Sequence, residues 1–68
     1  MDIEWEDGFT IKVKVDDGAV VVRANKEGLL SLARHLVALA DSDAECHIHY
    51  DEHNSLEEGS VEMIIEKI

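Results

Sequence analysis

Residues 46–53, Cys-His-Ile-His-Tyr-Asp-Glu-His, hold the side chains best suited to chemistry. Alternate residues of a strand share a face, so His47 and His49 would lie about 7 Å apart, with Asp51 continuing the row. Imidazoles and carboxylates are ligands of zinc. The row therefore fits either a metal site, to which His53 would add a fourth ligand, or an ordinary polar strand face. We favour the polar face and expect no metal and no cofactor.

The other reactive residues in this half of the chain do not form a catalytic pattern. Cys46 would share its face with Ile48 and Tyr50, which predicts a core position rather than a thiol activated by a base. Glu57 and Glu58 are adjacent, so their carboxyls diverge on most backbones instead of facing each other across a cleft. A chain of 68 residues also leaves little volume for a cleft. We therefore predict that the protein is not an enzyme.

We expect the other predicted elements to pack around residues 25–40, because these residues form the one segment long enough for a helix of several turns. Asn25 stands where an N-cap is expected. Gly28 lowers helix stability, which a close approach of a neighbouring strand would explain, and His35 is interpreted as a surface residue. The apolar stripe predicted to cover a sheet is Leu29, Leu32, Ala33, Leu36 and Ala40, widened by Leu30, Val37 and Leu39.

Period-two alternation and turn residues predict five strands around this helix. The strand at residues 19–22 is apolar at every position, which is typical of the centre of a sheet. The sequence thus predicts one α+β domain over residues 1–68, with an antiparallel or mixed five-stranded sheet and the helix packed on one face. The element order is β-β-β-α-β-β, with strands at residues 2–6, 9–15, 19–22, 44–51 and 61–68, and turns or loops at 7–8, 16–18 and 52–60.

The charge balance narrows the class of partner. The chain has 16 acidic and 6 basic residues, and nine of the acids but one base lie in residues 41–68, giving that segment a net charge of −8. This charge disfavours nucleic acid and anionic membranes as ligands, whereas a basic protein is the natural complement. Solubility is the alternative purpose of the acids. A single cysteine, no signal peptide and no membrane-length apolar run favour the cytoplasm.

Two parts of the chain together resemble the immunity protein 32 family, small α+β proteins attributed to bacterial polymorphic-toxin systems. The first is the helical segment E-G-L-L-S-L-A-R-H-L at residues 27–36, and the second is H-I-H-Y-D at residues 47–51 with G-S-V-E-M-I-I-E-K at residues 59–67. The resemblance spans roughly the last two thirds of the chain. It implies a cytoplasmic, non-catalytic antidote that binds and blocks a cognate toxin, and it carries no functional residues by position.

The leading hypothesis is therefore a cytoplasmic immunity protein whose acidic surface enters a basic cleft of a toxin protein. Tyr50 or Leu56 would supply an apolar anchor. Two alternatives stay open: a homodimeric domain without another partner, and a metal-binding domain that uses the row of His47, His49 and Asp51. The predicted partner-binding residues are Asp41, Asp43, Glu45, His47, His49, Asp51, Glu57 and Glu58.

Overall fold

A computed structural model describes residues 3–43 and 45–68. It has one helix and four strands, and no helix among the described residues is long and apolar enough to cross a membrane. The elements are β1 (Ile11–Asp16), β2 (Ala19–Ala24), α1 (Lys26–Ala40), β3 (Cys46–Tyr50) and β4 (Met63–Lys67).

The predicted five-stranded sheet is wrong, although the α+β content is compatible with the structure. The strands form two separate antiparallel pairs, β1 with β2 and β3 with β4. The edge of β1 that faces away from β2 is bonded only at intervals, since Glu57 N donates to Ile11 O and Val61 N donates to Val13 O. The two donors are four residues apart in the chain and the two acceptors are two residues apart, so no regular ladder connects the two sheets.

The first predicted strand is also wrong, over the part of residues 2–6 that the structure describes, since Asp2 lies outside it. Residues 3–6 adopt no strand. Their backbone groups bond to helix side chains instead of a neighbouring strand: Glu6 N donates to Ser31 Oγ at 2.8 Å, and Glu4 O lies 2.7 Å from His35 Nε2. These bonds satisfy two polar backbone groups of the segment, which reduces what the segment would gain by joining a sheet.

The helix turns a different face to the core from the one predicted. Leu29 and Leu36 of the predicted stripe are exposed, and so are Leu30 and Val37 beside it. A narrow face is buried in their place, consisting of the small or polar Gly28, Ser31 and His35 together with Leu39. Leu39 was predicted to be in the core, and Leu32 of the stripe is half-buried against it, so the prediction is correct for these two leucines. Small side chains at the N-terminal end of the buried face let the backbone of residues 4–11 approach closely, which Leu side chains would prevent.

His35 is 1% exposed and lies at the centre of the core, so its interpretation as a surface residue is wrong. Glu4 O only accepts hydrogen bonds, so His35 Nε2 must carry the proton and Nδ1 accepts from the Tyr50 hydroxyl at 2.8 Å. Burial raises the pKa of Tyr50 from its ordinary value of 10.0 to about 12, so this hydroxyl is protonated at neutral pH and stays a donor further into the alkaline range. Trp5 packs edge-on against the imidazole, with ring centroids 4.4 Å apart.

The start of the helix is as the sequence predicts. Asn25 is the N-cap, and its Oδ1 accepts from Gly28 N at 2.7 Å and from Thr10 N at 3.0 Å. The same side chain donates to Gly8 O at 2.9 Å. One asparagine therefore caps α1 and ties its first turn to the segment that enters β1.

Candidate functional site

The pairing of β3 with β4 decides which side chains share the outer face of that sheet. His47 lies opposite Glu66, and His49 lies opposite Ile64. All four of these residues are exposed, whereas Ile48 between the two histidines is buried. The predicted alternation of this strand is therefore confirmed, and the histidines present their rings on the surface.

Three ligand-type side chains converge at the end of β3. His49 Nε2 lies 3.1 Å from Glu62 Oε2 and 3.8 Å from Asp51 Oδ2. One donor atom from each of the three lies within 4.8 Å of the others. An imidazole with two carboxylates is a donor set for a divalent cation, and it is equally a receptor for a Lys or Arg side chain.

The orientation of Asp51 in this cluster is fixed by the turn that follows β3. Its Oδ1 accepts from His53 N at 2.9 Å and from Asn54 N at 3.0 Å. Asn54 returns a bond, since its Oδ1 accepts from Asp51 N at 3.1 Å. With Oδ1 engaged by the backbone, Oδ2 is the oxygen directed at His49.

A second acidic group surrounds the end of α1. Asp41 is the C-cap, and Asp43 and Glu45 follow it, all three exposed. Lys67 is the one base of residues 41–68, and its Nζ donates to the backbone oxygens of Ala40 and Ser42. Among the described residues no ion pair involves these three acids. Lys67 therefore caps the helix, and it does not neutralise the acids beside it.

The adjacent Glu57 and Glu58 face different surroundings, as expected for adjacent side chains. Glu58 lines a shallow depression with Glu52 and His53. Glu57 lines another that also contains Lys12 and Arg23. Glu58 therefore extends the acidic region near β3, whereas Glu57 lies beside basic residues of the β1–β2 pair.

The eight predicted partner-binding residues are all exposed except Asp51, which is half-buried. The proposed anchors are wrong, because Tyr50 and Leu56 are 0% and 5% exposed and belong to the core. Glu62 and Glu66 were missed as members of the same surface. They occupy alternate positions with Ile64 and share its face, but only the tertiary structure brings Glu66 opposite His47 and Glu62 to within 3.1 Å of His49.

The comparisons with known proteins give one match. The family model described as Immunity protein 32 matches residues 19–68, which is 50 of the 68 residues and includes β2, α1, β3 and β4. No curated protein and no solved structure matches the chain.

Proposed function

Because the chain belongs to the immunity protein 32 family, we propose that it is a cytoplasmic, non-catalytic immunity protein that binds and blocks a cognate toxin through an acidic surface. This acidic surface runs from the end of α1 along the outer face of β3 and β4. It comprises Asp41, Asp43, Glu45, His47, His49, Asp51, Glu58, Glu62 and Glu66, with Glu57 at its margin.

The observation that carries the proposal is the uncompensated charge of this surface. Residues 41–68 contain nine acids and one base, and that base, Lys67, is engaged by carbonyl oxygens of the helix end. Such a surface attracts a basic protein over long range and accelerates encounter. A toxin that acts on nucleic acid needs a basic cleft to hold its substrate, so an acidic protein docked there would exclude the substrate by occupying its place.

The association rate with the toxin encoded by the neighbouring gene is expected to depend steeply on salt. Between roughly 50 and 500 mM salt we expect a fall of at least about tenfold, since mobile ions screen exposed charges. Stopped-flow mixing of the purified pair gives this rate. The Asp43→Asn/Glu45→Gln variant should associate more slowly at low salt and show a weaker salt dependence.

The matched control is Asp16→Asn/Asp17→Asn, which removes two acids at the β1–β2 turn, away from the acidic surface. It should slow association much less than the change at Asp43 and Glu45. A rate that is flat with salt, or equal effects of the two double variants, would contradict docking through this surface. Failure of the pair to bind at all would contradict the proposed function itself.

The converging His49, Asp51 and Glu62 favour a second candidate, a site for a divalent cation such as Zn²⁺. This set of ligands differs from the row that the sequence suggested as a metal site, because His47 lies opposite Glu66 and is not in the cluster. The three side chains supply one imidazole nitrogen and two carboxylate oxygens, which leaves at least one position of a tetrahedral ion open to a partner or water.

For this second candidate, isothermal titration calorimetry with Zn²⁺ should show one metal-binding site per chain. Glu62→Gln and His49→Ala should each weaken binding by at least about tenfold, because each removes a ligand. The pair His47→Ala and Glu66→Gln is the matched control, since it makes the same changes one step along the same two strands. Equal binding by all four variants, or no heat beyond dilution, would exclude a metal at this cluster.

A further inference from the structure

An apolar face on α1 and β2 has no partner among the described residues. Leu29, Leu36 and Val22 are 57%, 48% and 41% exposed and line one groove. Val20 continues the face along β2 and is 67% exposed. Leu32, Ala33, Met63 and Ile65 complete the groove, whose lining contains no charged residue. A connected apolar surface on a chain with 32% charged residues marks a place where another protein packs.

The free edge of β2 borders this apolar face. Val13 O accepts from Val61 N, so the polar backbone groups of Val13 point away from β2. Val22 lies directly opposite Val13, and its N–H and C=O therefore point away from β1. The same alternation applies to Val20. Within residues 3–43 and 45–68, β2 pairs with β1 alone, so its outer edge is open to a further strand.

The charges along β2 favour a second copy of this chain as that strand. Asp16 and Asp17 precede β2, whereas Arg23 and Lys26 lie at its other end. In an antiparallel pairing of two identical strands, the acidic end of one copy meets the basic end of the other. Residues 11–26 carry four bases and two acids, a net charge of +2 in a chain of −10, so the contact also keeps the strongly acidic regions apart.

We propose that the protein forms a two-fold symmetric homodimer in which β2 pairs with β2 of a second copy, centred on Val21. Val20 of each copy then exchanges backbone hydrogen bonds with Val22 of the other. A two-fold axis perpendicular to the joined sheet places both helices on the same side, and their exposed leucines pack across the axis. The acidic surface stays outside the contact, so the inference does not rest on the proposed function.

Sedimentation velocity over a range of protein concentrations tests this dimer. We expect a species of twice the 7.6 kDa chain mass, with Val20→Glu and Leu36→Glu each weakening self-association by roughly a hundredfold, as expected for central interface positions. Ile64→Glu is the matched control, because Ile64 is an apolar residue with a similar exposure of 55% on the opposite sheet, at the outer face of β4. It should leave the dimer intact.

A charge-exchange pair tests the register. In the proposed pairing Ala19 lies opposite Arg23 of the second copy, so Ala19→Arg should weaken the dimer by about tenfold through like-charge repulsion. Adding Arg23→Glu should restore it. Circular dichroism of each variant checks that the fold is retained.

Three outcomes would overturn the proposal. The first is a monomer at every concentration. The second is a dimer that Ile64→Glu dissociates and Val20→Glu does not, which would place the contact on the outer face of β3 and β4. The third is a monomer whose binding to the toxin is lost in Leu36→Glu, which would assign the apolar face to the toxin. Loss of toxin binding in the acidic-surface variants alone would leave the dimer untouched, so the two proposals fail separately.

Discussion

Replacing Gly28 by alanine is expected to destabilise the protein by about 2 kcal/mol, although alanine is the better helix former. A Cβ at this position would lie 2.5 Å from Thr10 O, 2.9 Å from Ile11 Cγ1 and 3.0 Å from Ala24 Cβ. Thr10 O is a backbone atom that accepts a hydrogen bond from Asn25 N at 3.2 Å, so it cannot move freely. Overpacking of this kind costs about 1–3 kcal/mol or more and outweighs the roughly 1 kcal/mol that alanine gains in helix propensity.

Urea unfolding followed by circular dichroism measures the effect at Gly28. The pair Leu30→Ala and Leu30→Gly serves as the control, because Leu30 is an exposed site in the same turn region of α1. At that site alanine should be more stable than glycine by about 1 kcal/mol. The same sign at residue 28 would mean that α1 does not approach β1 as closely as the structure shows.

Replacing His35 by alanine is expected to cost about 3–4 kcal/mol. It leaves a cavity beside Trp5 and removes the partners of two buried polar groups, Glu4 O and the Tyr50 hydroxyl. A domain of this size has roughly 3–10 kcal/mol of stability in total. We therefore expect His35→Ala to lose between about a third and all of the free energy of unfolding, as measured by thermal and urea unfolding.

Two milder variants keep this prediction measurable if His35→Ala does not fold. Tyr50→Phe removes one hydroxyl and leaves His35 Nδ1 without its donor, which should cost about 1–2 kcal/mol. His47→Ala alters a histidine that is exposed on β3 and should change stability by less than about 0.5 kcal/mol. If His35→Ala and His47→Ala proved equally stable, the buried network would not contribute to folding as inferred.

These two positions explain why the predicted helix orientation is wrong. Hydrophobic periodicity counts apolar side chains and assumes that the richest face is buried. In α1 the buried face instead depends on close backbone approach at Gly28 and on hydrogen bonds made by Ser31 and His35. Both effects need a partner that is distant in sequence, and the spacing of leucines carries no information about it. Of the leucines that periodicity placed in the core, Leu29 and Leu36 are therefore exposed, whereas Leu39 is buried as predicted.

Some features follow from the chain itself because their causes are local. The Asn25 cap depends on residues three positions apart, and the tight turn at Asp17 and Gly18 depends on backbone angles with positive φ at both residues. The alternation of His47 and His49 and the acidic excess of residues 41–68 are also readable directly. These features were enough to predict the α+β class. The family resemblance, which the match over residues 19–68 confirms, was enough to predict an immunity protein.

The pairing of distant segments was decided only by the tertiary structure. Whether residues 3–6 form a strand depends on whether Ser31 and His35 offer better hydrogen bonds than a neighbouring strand does. Whether Glu62 meets His49 depends on the β3–β4 register, which a shift of one residue would change for every side chain on that face. The local sequence determines the backbone angles of a cap or a turn and the alternation of a strand. The buried face of the helix and the competition among distant partners for the same backbone groups are properties of the whole fold.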